Sequence, residues 1–312
     1  MKTTPMSDAS LDSAPLNAWH KWVMASRPRT LTAAAAPVLV GWGIAIQHGG
    51  FHAGSAVAAL IVAFAIQIGT NLHNDVSDYL RGTDRPDRLG PTRVTQAGIL
   101  PPQAVMRGVW LSLGVACLAG IYLACRGGVP VLILGAASIL AALAYSAGPS
   151  PLSENGLADL FVLVFFGFVA VSGTVYVQMG ALPMETWLAS AAVGSTITAL
   201  LVVNNVRDID SDRASGRRSI PVVYGLKAGI LEYRLLLVVA YIAPVIVVLL
   251  GYAGPSALLP LLTLPLAVRW SRFLSANTGR ALNRCLAGTA QLIFLHGYAL
   301  AFGLALSRWV FT

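Results

Sequence analysis

Charge is scarce in this chain: Asp, Glu, Lys and Arg make up 11% of 312 residues, against 56% hydrophobic residues. Soluble globular domains carry roughly 25% charged residues, so this composition excludes one. The three cysteines, Cys117, Cys125 and Cys285, lack CxxC spacing and lie in or beside apolar runs. That leaves no support for a disulfide framework or a metal knuckle, and they read as small core hydrophobes. A Walker-type glycine loop, a GxGxxG fingerprint and a Ser/His/Asp arrangement are all missing, so nucleotide hydrolysis and acyl transfer find no footing. Residues 1–29 have no apolar core and no cleavage site of a signal peptide. The segment 1–20, rich in Ser, Thr, Asp and Pro at its start, is expected to be a disordered cytoplasmic tail, followed by a single integral-membrane domain over 21–312.

Apolar runs, by contrast, are abundant. Nine stretches approach the ~20 residues needed to cross ~30 Å of hydrocarbon: 30–47, 53–75, 104–125, 128–146, 156–179, 185–206, 227–252, 255–271 and 284–307. They predict an all-α polytopic bundle of nine transmembrane helices. Basic residues orient it. With the N-terminus cytoplasmic, 19 of the 21 Lys and Arg residues fall on the inner side, and Arg126 and Arg308 are left outside. The net charge of +8 is then explained by attraction to anionic inner-leaflet lipid, and no nucleic acid is needed.

Against this background two acidic patches stand out, Asn71-Leu-His-Asn-Asp75-Val-Ser-Asp78 and Asn204-Asn205-Val-Arg-Asp208-Ile-Asp-Ser-Asp212. An Asp at the centre of a membrane helix costs roughly 2.5–3.5 kcal/mol on insertion scales, so carboxylates kept there usually bind something. Each patch ends an apolar stretch, and each is followed by an arginine-rich loop. The second lies about 134 positions after the first, as in a duplicated bundle. On a helix, Asn71, Asn74, Asp75 and Asp78 share one face, as do Asn204, Asn205, Asp208 and Asp212. Like charges so arranged are relieved by a divalent cation, and oxygen-only donors favour Mg²⁺ over zinc. The plainer alternative, helix-end acids paired with neighbouring arginines, competes for either patch alone; two matching patches on one membrane face favour a site. Arg81, Arg85, Arg88 and Arg93 follow the first patch, and Arg207, Arg213, Arg217 and Arg218 flank the second. Arginine forks and magnesium together suit a diphosphate.

Four ordered blocks then carry a resemblance: Ser26-Arg27-Pro28-Arg29-Thr30-Leu31; the first patch running through Arg81-Gly82-Thr83-Asp84 to Gly90-Pro91-Thr92-Arg93-Val94-Thr95-Gln96-Ala97-Gly98; Tyr145-Ser-Ala-Gly-Pro149 with Gly156-Leu157-Ala158-Asp159 and Phe165-Phe166-Gly167; and the second patch with Arg213-Ala-Ser-Gly216-Arg217. The chain resembles the UbiA-type intramembrane aromatic prenyltransferases, most of all the 1,4-dihydroxy-2-naphthoate polyprenyltransferases of menaquinone synthesis. The resemblance implies nine helices around a central cavity, two Mg²⁺ ions clamping a polyprenyl diphosphate, and prenyl transfer to an aromatic acid with loss of CO₂. It places metal ligation at Asn74, Asp78, Asp84, Asn205, Asp208 and Asp212, and diphosphate binding at Arg27, Arg93, Arg213 and Arg217. The bacterial inner membrane is the implied location, with no obligatory protein partner. Pro149, where the hydroxybenzoate branch has Lys, argues against that branch, and Arg217 keeps the charge of a position where many relatives have Lys.

Asp78 and Asp212 are thus the candidate catalytic acids, and Tyr145 is the candidate shield of an allylic cation through its π face. Tyr176 could do the same or merely pack. His73 and His296 read more simply as hydrogen-bonded bystanders, and the role of Asp75 stays open. Among other acceptors, 4-hydroxybenzoate, homogentisate and chlorophyllide remain. Two other classes compete. A secondary transporter of an anionic solute would place its acids near the bilayer midplane, and the CDP-alcohol phosphotransferases carry a DGxxAR signature that is missing here.

Overall fold

The structure is a computed structural model that describes residues 17–82, 89–146 and 151–310. Among them it is helical throughout, apart from loops and one isolated bridge between Asn155 and Arg218. Nine of the helical segments are long and apolar enough to cross a membrane: α2 (Pro28–Gln47), α3 (Ala53–Leu80), α4 (Pro102–Gly127), α5 (Val129–Ser146), a composite of α6 (Ala158–Val162) and α7 (Ala170–Met179) joined through a π-helical stretch at Leu163–Val169, α8 (Glu185–Arg207), α11 (Leu226–Leu249), α12 (Leu264–Ala276) preceded by a 3-10 turn at Pro255–Thr263, and α13 (Leu282–Val310). The short helices are α1 (Ala18–Ser26), α9 (Ile209–Ala214) and α10 (Ile220–Tyr224). The expected nine-helix all-α bundle is therefore borne out.

Helix ends differ from the expected bounds by up to five residues, and two of the differences concern the start of the chain and the first acidic patch. Residues Ala18–His20, placed in the disordered tail by composition, form the first turn of α1, capped by the Asn17 side chain, which accepts the His20 amide at 2.8 Å. Residues 1–16 of that tail lie outside the described residues. The second acid-bearing helix ends as expected, but α3 runs five residues past its apolar stretch, to Leu80. No glycine or proline lies between Asp75 and Gly82, whose φ of +66° supplies the left-handed turn that ends a helix cheaply. Asp75 and Asp78 consequently sit inside the helix and are buried there.

Inside lipid, helices gain little from hiding apolar surface from one another, so close backbone contact at small residues holds them together. Along the α2–α13 seam a Cβ at Gly43 would stand 2.3 Å from the Ala301 carbonyl oxygen. Where the π-helical stretch crosses α8, a Cβ at Gly194 would stand 2.8 Å from the Gly167 Cα. Both crossings need glycine. They hold α2 against α13 and the π-helical segment against α8, whose small residues Ala189, Ala192, Ser195, Thr196 and Ala199 are buried. Helices α2, α3, α5, α7 and α8 then leave a central cavity between them.

Candidate active site

The cavity has a volume of about 420 Å³ and two chemically distinct halves. Arg27, Asn74, Asp78, Arg93, Asn204, Asn205, Asp208, Asp212 and Arg217 gather at one end, while Ala59, Val62, Leu123, Val131, Leu134 and Gly173 line the other. The two acidic patches, distant in sequence, thus face one another. Their measured link is Arg217, whose Nη2 lies 3.5 Å from Asp78 Oδ1 and whose Nη1 lies 3.7 Å from Asp212 Oδ1.

Asp78 is the hub. It accepts a hydrogen bond from Arg81 at 2.8 Å and another from the buried Arg93. Asp208 caps α8 and accepts a forked pair of hydrogen bonds from the neighbouring Arg207, at 2.8 and 2.6 Å. That guanidinium also donates to Asn283 of α13, which in turn donates to the Leu89 carbonyl. The second patch is thereby tied to the segment that carries Arg93. Burial works against the charge on Arg217, but Asp78, Asp212 and Glu154 outweigh it and hold its pKa above the ordinary arginine value.

Arg27 has the only positive φ of any non-glycine described residue, +52°, at the corner between α1 and α2. The left-handed region costs an ordinary residue roughly 1–2 kcal/mol, and such strain persists where the surroundings over-determine it, often at functional sites. The corner turns the guanidinium into the cavity, 3.8 Å from Asp75.

Tyr145 lines the cavity at the start of an aromatic file. Its ring centroid lies 5.6 Å from that of Phe161, which stacks on Phe165 at 4.4 Å. The π-helical register, a feature common at functional sites, turns Phe165 and Phe166 inward together.

Several expected residues lie elsewhere. Arg213 is not among the lining residues; its side chain is 58% exposed and approaches Asp210 at 3.7 Å. Asp84, Arg85, Arg88 and Pro149 lie outside the described residues. Asp75 is not among the lining residues and accepts the backbone amides of Val94 and Thr95. His73 bonds Ser146 Oγ at 2.8 Å, and His296 bonds the Ala240 carbonyl at 3.1 Å, so both have structural partners. Tyr176 packs against the buried cluster of Val38, Ala58, Ala59, Leu123, Val131 and Val177.

Three further residues belong to the polar end: Arg81, expected only as one of several arginines after the first patch, and Asp159 and Glu154, which had no role from the sequence. Arg81 keeps Nε and Nη1 buried without a hydrogen-bond partner, donors suited to an anion. Asp159 lines the cavity and accepts from Asn205 at 3.2 Å. Glu154 approaches both Arg81 and Arg217. A single acid in a polar loop leaves no periodic signal.

Among the described residues no three His, Cys, Asp or Glu side chains are grouped closely enough to cage one ion. The oxygen donors Asn74, Asp78, Asn205, Asp208 and Asp212 nevertheless all line the one cavity. That donor set fits magnesium, which takes one or two carboxylates and completes its shell with water and phosphate oxygens.

A helical membrane bundle with acids and arginines at one end of its cavity, and apolar walls at the other, defines a class: integral-membrane proteins that hold an amphiphile with an anionic head. Comparison with known proteins narrows it. The UbiA prenyltransferase family matches residues 34–307. The 1,4-dihydroxy-2-naphthoate octaprenyltransferase of Escherichia coli K12 is 35% identical, over 92% of this chain and 96% of its own. In fold the chain is similar to a UbiA homologue from Aeropyrum pernix K1, with a TM-score of 0.67 at 17% identity, covering 91% of this chain and 98% of that one. It is also similar to a UbiA homologue from Archaeoglobus fulgidus bound to GPP and Mg²⁺, with a TM-score of 0.62 at 16% identity, covering 90% and 99%. The chain belongs to the UbiA prenyltransferase family.

Proposed function

We propose that this chain transfers a polyprenyl group from polyprenyl diphosphate to 1,4-dihydroxy-2-naphthoate, with loss of CO₂ and release of diphosphate, giving demethylmenaquinol, the reduced form of demethylmenaquinone. The carrying observation is the convergence of Asp78 and Asp212, from separate arms of the fold, on Arg217 at the polar end of one cavity. The acceptor is supported by the name and 35% identity of the Escherichia coli relative. The diphosphate donor and the metal are supported by the ligands of the Archaeoglobus fulgidus homologue.

Asn74, Asp78, Asn205, Asp208 and Asp212 would hold two Mg²⁺ ions, which supply Lewis-acid neutralisation of the diphosphate. Arg27, Arg93 and Arg217 bind its remaining oxygens and stabilise negative charge as the allylic C–O bond breaks. Preorganised electrostatics of this kind are usually the largest catalytic contribution. Tyr145, Phe161 and Phe165 present aromatic faces where positive charge develops on the prenyl carbon, an interaction worth about 2 kcal/mol when desolvated. The apolar half of the cavity takes the tail and excludes water, which would otherwise quench that carbon. The surplus of Lys and Arg beside the acidic patches supports a mouth that opens to the cytoplasmic side of the bacterial inner membrane.

Membranes containing the protein, supplied with Mg²⁺, radiolabelled polyprenyl diphosphate and a panel of aromatic acids, test this. Labelled quinone with dihydroxynaphthoate alone is the expected result. Product with 4-hydroxybenzoate or homogentisate instead would move the acceptor, and solute uptake without product would overturn the enzyme.

A further inference from the structure

Arg217 shares its carboxylates with the proposed metal site. Any cation that takes Asp78 Oδ1 and Asp212 Oδ1 competes with a guanidinium already 3.5 and 3.7 Å from them. A third carboxylate lies beside the same nitrogen: Glu154 Oε1 is 3.7 Å from Arg217 Nη2 and 3.2 Å from Arg81 Nη2. Glu154 does not line the cavity, so it stands behind the arginines. Its Oε1 is shielded from solvent and makes no hydrogen bond of good geometry. An oxygen acceptor sheltered in this way still has capacity for a charged donor.

The backbone keeps Glu154 in register with Arg217. The Glu154 carbonyl accepts the Arg218 amide at 2.8 Å, and Asn155 forms the isolated bridge to Arg218. Arg81 in turn spans Asp78 at 2.8 Å and Glu154 at 3.2 Å. Two cations and two anions thus alternate: Asp78, Arg81, Glu154, Arg217. A small rotation of the Arg217 side chain toward Glu154 frees Asp78 and Asp212 without stranding a buried positive charge.

We propose that Glu154 is a positioning residue that receives the Arg217 guanidinium when magnesium diphosphate takes Asp78 and Asp212. This rests on the magnesium–diphosphate reading above. Arg217 then acts in two places: across the two acids before the metal arrives, and between Glu154 and the diphosphate afterwards. Without the Glu154 carboxylate, Arg217 stays on the metal ligands and the cation binds more weakly.

A double-mutant cycle on the purified full-length protein tests it, with Mg²⁺-dependent binding of inorganic pyrophosphate read by calorimetry. Glu154→Gln is expected to weaken that binding about tenfold, within the range of coupling between residues of one ion-pair network. In an Arg217→Gln background the same change is expected to cost less than twofold, because the group it acts through is gone. Glu154→Asp keeps the charge and is expected to retain most of the binding, which guards against a folding defect in Glu154→Gln. Equal losses in both backgrounds, or wild-type affinity in Glu154→Gln, would overturn the proposal. A coupled cycle in a protein that prenylates no aromatic acid would leave the Glu154 role standing and remove the proposed reaction.

Discussion

Asp75 accepts the backbone amide of Thr95 at 3.0 Å, and its second oxygen takes the amide of Val94 at 3.1 Å. One carboxylate, buried in α3, thus fastens the polar segment that delivers Arg93 to Asp78. Asp75→Asn keeps the shape but offers a single acceptor oxygen and turns an amine toward an amide donor. It is expected to cost about 1–3 kcal/mol of stability, seen as a lower unfolding temperature in detergent. KM for prenyl diphosphate should rise through the displaced Arg93, with Mg²⁺ half-saturation unchanged. A large loss of Mg²⁺ affinity would make Asp75 a metal ligand instead of an anchor.

Removing a proposed metal ligand separates chemistry from folding only where the residue is not also a structural hub. Asp212 shares Arg217 with two other acids, whereas Asp78 faces Arg81, Arg93 and Arg217. Asp212→Ala is expected to lower kcat at least 100-fold, the scale of losing transition-state charge stabilisation, in a protein that still purifies as a monodisperse species. Asp78→Ala should lose activity and stability together, by about 3–5 kcal/mol for the buried charges it strands. EDTA should silence the wild type and Mg²⁺ restore it; turnover that survives chelation would remove the metal from the site.

The left-handed corner at Arg27 allows backbone strain and charge to be read apart. Arg27→Gly and Arg27→Ala both remove the guanidinium, so both should weaken diphosphate binding about equally, by tenfold or more, as for loss of a charged hydrogen-bond partner. Only glycine relaxes φ = +52°, so the Gly variant should be about 1 kcal/mol more stable than the Ala variant. Thermal denaturation of the pair, alongside pyrophosphate titration, checks both halves. Equal stability would mean the corner carries no strain.

The bundle was legible because each span is a run of apolar residues long enough for lipid, and the facing of the two patches because they recur on equivalent helices with the same spacing. Three features were hidden for physical reasons. Helix α1 has no apolar run and is held by contacts the sequence does not announce, such as the Trp22 ring lying where a side chain at Gly108 would project. Arg213 follows Asp212 directly, and one residue on a helix turns about 100°, so the neighbour of an inward acid points outward; counting positions could not tell the two apart. Glu154 and Asp159 are isolated acids whose importance comes from partners more than 40 positions away.

The apolar half of the cavity makes tail length testable. Gly173 lines it, and a Cβ built there meets nothing within 4 Å, so a larger side chain would project into open space without disturbing a helix contact. Gly114 has equally free surroundings but is exposed on α4 and does not line the cavity. Gly173→Leu should therefore fold normally and occupy room that a long prenyl chain needs and a short one does not. Comparing kcat/KM for geranyl diphosphate and a longer polyprenyl diphosphate, the preference is expected to shift toward the short donor by about tenfold or more, the scale of steric discrimination in an apolar pocket. Gly114→Leu should leave the ratio at the wild-type value. An unchanged ratio in Gly173→Leu would show that the tail leaves by another path, and the apolar half would then have to be assigned to the aromatic acceptor.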